Sequence, residues 1–392
     1  MRVLILNPGS SSLKSSVVET AELRPGRPVA PLAMLNVDWG VDATAASAEP
    51  GSGPADEIRR LLARYEGQGI VTASLGAVGY RVVHGGTRFR EPALIGSEVV
   101  GELDALRDLA PLHNGVAVAT IRAGLGAAPQ LPHVAVFDTA FHATLPEEGF
   151  RYPVPERWYR DWGIRRYGFH GISVAWSAER AAALLADAGS VASSPDLVVA
   201  HLGSGCSVTA VSGGRSVATS MGLTPLEGLM MGTRSGSIDP GIVFALVRDG
   251  RLTIDELADE LDHGSGLVGV SGRTSDVREL LAAEAAGDGP AALALAMFVR
   301  RAAESIGAAA TSLSGLDAVV FTGGIGENAA SIRSRIVGRL ASIGVPGVTD
   351  VRLDHDAVLT EPGIHPAVIR IEAREDLVVA RETARTVEAA HR

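Results

Sequence analysis

Residues 3–18 read VLILNPGSSSLKSSVV, and residues 197–211 read LVVAHLGSGCSVTAV. Each begins as an apolar run, Val3 to Leu6 or Leu197 to Ala200. A turn of small residues interrupts it, and the chain resumes as Leu13 to Val18 or Cys206 to Val211. Short β-branched runs separated by Gly, Pro and Ser predict strand–turn–strand units. A Gly-Gly turn at 213–214 follows the second. The recurrence about half a chain later points to an internal duplication.

Working outward, Ala318 to Phe321 is a third apolar run, ending in TGGIGEN at 322–328 and leading into a helical pattern over 329–343. Val134 to Phe137 is a fourth, ending in Asp138-Thr139-Ala140. Helical patterns over 54–65, 97–106, 175–186 and 290–313 alternate with the strands, which predicts the α/β class. Loops are expected at 24–31 and 47–54, and the Pro- and aromatic-rich stretch 144–168 reads as a connection near a domain boundary.

The chain has 392 residues, too many for one typical core, so two domains are expected. With 46% hydrophobic and 20% charged residues it is globular, and with only 4% aromatics its core must rest on Val, Leu, Ile and Ala. A formal charge of −10 and the lack of any basic run exclude a nucleic-acid partner. They do not exclude a small anion, because screening confines long-range repulsion to roughly 10 Å. One cysteine, Cys206, rules out an internal disulfide and suits a reducing compartment. The opening MRVLILNPGS is too short for a secretory signal, and no apolar stretch approaches ~20 residues. A cytoplasmic protein with no membrane partner is expected.

The turn Asn7 to Ser12 offers small residues, backbone N–H groups and hydroxyls beside Lys14. Such a turn can wrap a phosphate, and the same residues also make an ordinary hairpin turn. Two Gly/Ser hairpins together with a strand–Gly-Gly–helix turn favour the phosphate reading. No GxxxxGK[ST] occurs, so the chain is not a P-loop NTPase. Glycines stand beside cationic residues in RVVHGG (81–86), RRYGFHG (165–171) and MGTRSG (231–236), as crowding around an anionic ligand requires. Any one of these Arg residues could equally form a surface ion pair, and His84 could be a packing residue. Asp138 could cap a helix, bind a metal or orient an Arg, and Glu375 by itself reads as a solvated charge. No His/Cys spacing fits zinc, so any metal is expected to be Mg²⁺ carried by a nucleotide.

NPGSSSLKSS (7–16), RVVHGG (81–86), APLHN (110–114), VFDTAFH (136–142), RRYGFHG (165–171), SMGLTPLEGLMMGTRS (220–235) and VFTGGIGENA (320–329) occur in one order along nearly the whole chain. In this the sequence resembles the acetate kinase family of the sugar kinase/Hsp70/actin superfamily. The resemblance implies an α/β fold of two duplicated ribonuclease H-like domains with a central nucleotide cleft. One would cover 1–140 with the helix at about 378–392, and the other 141–377.

It also implies direct in-line transfer of the ATP γ-phosphoryl group to acetate. Propionate or another short acid is an alternative substrate, and a non-catalytic nucleotide-binding relative an alternative class. Asp138, His170 and Arg234 would be catalytic. Arg81, Val83, Leu112, His113, Phe169 and Pro225 would bind the acid. Lys14, His201, Leu202, Gly203, Ser204, Gly205, Asp276, Val277, Arg278, Gly324, Ile325, Gly326, Glu327 and Asn328 would hold the nucleotide. Asn7 and Glu375 would position Mg²⁺, for which Mn²⁺ can substitute, and a homodimer is expected. The chain departs from the family pattern at Pro8, Gly115-Val116, Ile172, Val174, Ser204, Ala218 and Ser237.

Overall fold

A computed structural model describes residues 1–9, 12–38, 54–106, 111–189, 194–349 and 351–392, with only the backbone of 111–113. Ser10 and Ser11 of the first turn, and most of the loop expected at 47–54, lie outside the described residues.

The chain divides into two compact units: Met1–Ala143 with Phe169–Trp176 and Arg374–Arg392, and Thr144–Gly168 with Ser177–Ala373. In the first, β1 (Arg2–Pro8), β2 (Ser12–Glu19) and β3 (Ala33–Asp38) form an antiparallel meander. β4 (Ala77–Val82) and β6 (His133–Phe137) extend it in parallel from β1, and the two-residue β5 (Ala93–Leu94) pairs antiparallel with β6. The order is β3-β2-β1-β4-β6-β5. Val3 to Leu6 are all within 2% of full burial, because both faces of the sheet are covered. Leu4, Leu6, Val78, Tyr80 and Val82 pack with Ile58, Leu61, Val118 and Ile121 from the helices Pro54–Gly67 and Pro111–Ala127. On the alternate positions of β4, Gly79 meets Val379 and Thr383 of the helix Glu375–Ala390.

The second unit contains β7 (Leu197–Leu202), β8 (Cys206–Ser212) and β9 (Arg215–Thr219) as a meander. β10 (Ala318–Thr322) and β12 (Ala367–Arg370) lie parallel to β7, and β11 (Ala357–Val358) lies antiparallel to β12. The order β9-β8-β7-β10-β12-β11 repeats that of the first sheet position for position, down to the two-residue edge strand. The duplication expected from the paired hairpins is therefore a duplication of sheet topology. The helix Gly289–Ala310 packs Ala294, Phe298, Ala302 and Ile306 into this unit's core at a spacing of four residues. Among the described residues no helix is long and apolar enough to cross a membrane.

Candidate active site

Sheet topology brings the ends of β1, β4 and β6 together, since these three are consecutive parallel neighbours. Asn7 and Arg81 each stand one residue before the end of their strands, β1 and β4, and Asp138 follows β6. The Arg81 guanidinium donates to Asp138 Oδ2 from Nε (3.1 Å) and Nη2 (2.5 Å), and from Nη1 to Asn7 Oδ1 (3.2 Å). Asn7 Nδ2 donates to Glu375 Oε2 (3.1 Å), which lies 3.6 Å from Arg81 Nε. Glu375, at the start of its helix, is thus a member of this cluster rather than a solvated charge.

Asp138 is buried, with 1% of its side chain exposed. Burial by itself disfavours the charge on Arg81, but Asp138 and Glu375 more than reverse this and raise its pKa. A guanidinium fixed along one edge by a carboxylate presents a planar fork to a second anion. Asn7 and Glu375 supply oxygen donors of the kind a hard cation such as Mg²⁺ takes. Among the described residues no three His, Cys, Asp or Glu side chains form a self-sufficient metal cage, so such an ion would draw its other ligands from water and phosphate.

Phe169 and His170 also belong to the first unit. Phe169 is buried and meets the His84 ring edge-on at 5.4 Å. His84 Nδ1 accepts from the Gly86 N–H (2.9 Å), which puts the proton of the neutral ring on Nε2. His170 has φ +60, the one positive φ at a non-glycine residue among those described. Left-handed backbone at such a residue persists only where its surroundings enforce it. Here the Gly171 N–H donates to the Asp138 carbonyl (3.0 Å), and an added Cβ at 171 would overlap that oxygen. On the other side the Phe169 carbonyl bonds His142 Nε2 (3.0 Å). Burial holds the His142 pKa down to about 4, so its ring is neutral at pH 7 and donates from Nε2. Nothing in the sequence marks His142 beyond its place in VFDTAFH.

In the second unit three turns converge. Thr322 pairs with His201, and Gly323, with φ +77, crowds the backbone of Leu202 so closely that a Cβ would lie 2.8 Å from its carbonyl oxygen. Gly232 N–H donates to the Ser204 carbonyl (3.2 Å), and Gly232 packs against Ser275, next to Asp276. The helix Gly323–Asn328 begins at this junction, and Asn328 Nδ2 returns to the Gly324 carbonyl (2.9 Å). Small residues and helix starts at one place suit phosphate groups.

Arg234 Nη1 donates to the Pro225 carbonyl at 3.4 Å, and Nε lies 3.8 Å from Asp262. Burial lowers the Arg234 pKa, against the pull of Asp262. Asp276 caps the helix Val277–Ala285 and is bonded by Arg278, which holds its pKa down to about 2. Leu202 and Val277 have buried side chains, which leaves only their peptide groups to a ligand. Ile325 and Gly326 lie within the short helix, and Glu327 accepts the Ala373 N–H (3.0 Å), its pKa raised by burial.

Lys14 is exposed opposite Asn7 in the β1–β2 register, and Val83 follows β4. Leu112 and His113 fall at the start of the helix Pro111–Ala127, and their side chains lie outside the described residues.

A protein named acetate kinase from Deinococcus radiodurans is 45% identical, with 98% of each chain covered. One of the same name from Gloeobacter violaceus is 43% identical, with 97% of this chain and 98% of that one covered. Among solved structures, a propionate kinase from Francisella tularensis superposes with a TM-score of 0.87 at 34% identity, covering 98% of this chain and 99% of the other. The acetate kinase of Porphyromonas gingivalis gives 0.85 at 31% identity, with 98% and 99% covered. The Acetokinase family model matches residues 2–381, and the chain belongs to that family.

Proposed function

We propose that this chain catalyses the reversible transfer of the ATP γ-phosphoryl group to acetate, giving acetyl phosphate and ADP. The observation that carries this reading is the Asn7–Arg81–Asp138–Glu375 cluster, in a chain whose curated relatives are named acetate kinase. Acetate is already an anionic nucleophile, so the protein's work is alignment and charge neutralisation.

Arg81 holds the carboxylate, and Asp138 fixes the orientation of Arg81. Val83, Leu112, Phe169 and Pro225 enclose the methyl group, with His113 beside them. His170 and Arg234 stabilise the negative charge spread over the transferring phosphoryl oxygens. Lys14, the turn His201–Gly205, Asp276–Arg278 and Gly324–Asn328 hold the nucleotide. Asn7 and Glu375 hold Mg²⁺, or Mn²⁺ in its place, which supplies positive charge to the phosphate oxygens. Transfer is direct, with no covalent enzyme intermediate.

The helix Pro240–Arg248 reads PGIVFALVR yet buries no residue, with Phe244 62% and Ile242 47% exposed. An apolar helix left uncovered supports the expected homodimer. A single buried cysteine and a net charge of −10 support a cytoplasmic enzyme that binds no nucleic acid.

A propionate kinase among the similar structures supports propionate as a second substrate. One methylene in an apolar pocket discriminates by only about 1–3 kcal/mol. A hydroxamate trap with ATP, Mg²⁺ and acids from formate to butyrate tests the proposal. Acetyl hydroxamate should form fastest and propionyl hydroxamate next. Absence of every acyl hydroxamate refutes the function, and a preference for butyrate refutes the substrate.

A further inference from the structure

The loop 220–237 carries both Pro225 and Arg234. At its base the Ser220 N–H donates to the Val208 carbonyl (2.9 Å), and the Val208 N–H to Ser220 Oγ (2.9 Å). Ser237 N–H donates to the Gly228 carbonyl (3.0 Å), and Gly228 N–H to Ser237 Oγ (3.1 Å). These bonds close the loop but do not fix the stretch between Leu223 and Glu227.

Two side chains from outside the loop, meeting Glu227 within it, do so. Arg166 Nη1 donates to the carbonyls of Ser220 (2.8 Å) and Met221 (3.0 Å), and Nη2 to Glu227 Oε1 (2.7 Å). Tyr152 donates its hydroxyl to Glu227 Oε2 and accepts the Leu223 N–H (3.0 Å). The Arg166 guanidinium also lies 5.3 Å from the Tyr152 ring centroid. Both carboxylate oxygens of Glu227 are thus engaged, each by a group that also holds the opposite limb of the loop.

Pro225 lies between these anchors, and its carbonyl meets Arg234 at 3.4 Å. Its Nε lies 3.8 Å from Asp262. The Pro225 carbonyl is thus one of the groups that seat the guanidinium, and where it stands affects that seat. We infer that Glu227, clasped between Arg166 and Tyr152, is a positioning residue for phosphoryl transfer, acting through the Pro225 carbonyl on Arg234. The inference rests on the role given to Arg234 above. A salt bridge and a tyrosine are well suited to this task, since directional bonds fix register more narrowly than apolar packing does.

The test is a double-mutant cycle in the hydroxamate assay: Glu227→Ala, Glu227→Gln and Tyr152→Phe, each alone and with Arg234→Ala. Misplacement of a reacting group by about 1 Å costs on the order of 10²-fold, so Glu227→Ala should lower kcat by about that factor. The KM for ATP should stay within about threefold, and Glu227→Gln, which keeps one acceptor oxygen and so one of the two bonds, should recover part of kcat. In the Arg234→Ala background Glu227→Ala should cost less than about twofold, because nothing remains to position.

Wild-type kcat in Glu227→Ala, or a loss undiminished in the Arg234→Ala background, overturns the inference. If Glu227→Ala does not fold, Tyr152→Phe carries the same cycle, with additivity as the refuting result. An inactive wild type refutes the functional reading and the inference with it, whereas an active wild type with additive losses refutes the inference alone.

Discussion

Replacing Arg81 by Ala tests the electrostatic core of the first unit. Asp138 is 1% exposed and takes two hydrogen bonds from this guanidinium, with Glu375 3.6 Å away on the other side. With charge centres ~4 Å apart and an effective dielectric near 20, the Arg81–Asp138 attraction is about 4 kcal/mol. Breaking a buried pair by removing one partner costs about 3–5 kcal/mol, because the remaining charge keeps its desolvation penalty. Arg81→Ala should therefore lose about 3–5 kcal/mol at pH 7, measured by urea unfolding followed by circular dichroism.

Adding Asp138→Asn removes the stranded charge and should return at least about 2 kcal/mol. Activity should not return with the stability, since the fork proposed to hold the substrate carboxylate is still missing. An Arg81→Ala protein within about 1 kcal/mol of wild type, with no recovery on adding Asp138→Asn, would refute the reasoning.

Gly323→Ala places a Cβ against the rigid backbone of Leu202 at positive φ, and should cost about 1–3 kcal/mol and raise the KM for ATP; an unchanged melting temperature and KM would contradict this. His142, with its pKa lowered by burial to about 4, binds no proton in the folded state between that value and the unfolded value of ~6.5. The unfolded state then binds more protons, so this residue's contribution falls by about 3 kcal/mol as pH drops through that window. His142→Gln should remove that part of the acid sensitivity, and an unaltered stability–pH profile would exclude it. Phe244→Asp puts a charge on the uncovered helix and should shift the proposed homodimer to monomers in sedimentation analysis; a variant that sediments as the wild type does would refute a contact through this helix.

The strands built on apolar runs were legible in the sequence: β1, β6, β7 and β10 are buried along nearly their whole length, and their polar residues, Asn7, His133, His201 and Thr322 among them, stand at or next to the strand ends. β4 was not, because AVGYRV combines a glycine that meets the helix Glu375–Ala390 with an arginine serving the site. The helix Pro111–Ala127 was hidden by Gly115, Gly124 and Gly126, poor helix formers. Gly124 is there because the Tyr80 hydroxyl occupies the space of a Cβ. At the site, Arg81, His170 and Arg234 stood out beside glycines. Glu375 is 368 positions from Asn7, and only the parallel pairing of β1 and β4 gives their contact a meaning. Tyr152, Arg166 and Glu227 escaped for the same reason, being three ordinary polar residues until the loop is closed around them.

The helix Glu375–Ala390 has a consequence for the life of the nascent chain. It packs on β1, β2, β4 and β6 and contributes Leu377, Val378, Val379, Ala380, Ala384 and Val387 to burial. Strands β1 to β6 are complete by residue 137, yet one face of their sheet stays uncovered until this helix has left the ribosome. At roughly 5–20 residues per second, the intervening synthesis lasts tens of seconds. Once synthesis reaches Ala373 the second unit has all its parts, while the first still has an open apolar face and lacks Glu375. Translation order thus keeps the Arg81 cluster incomplete until Glu375 has been made.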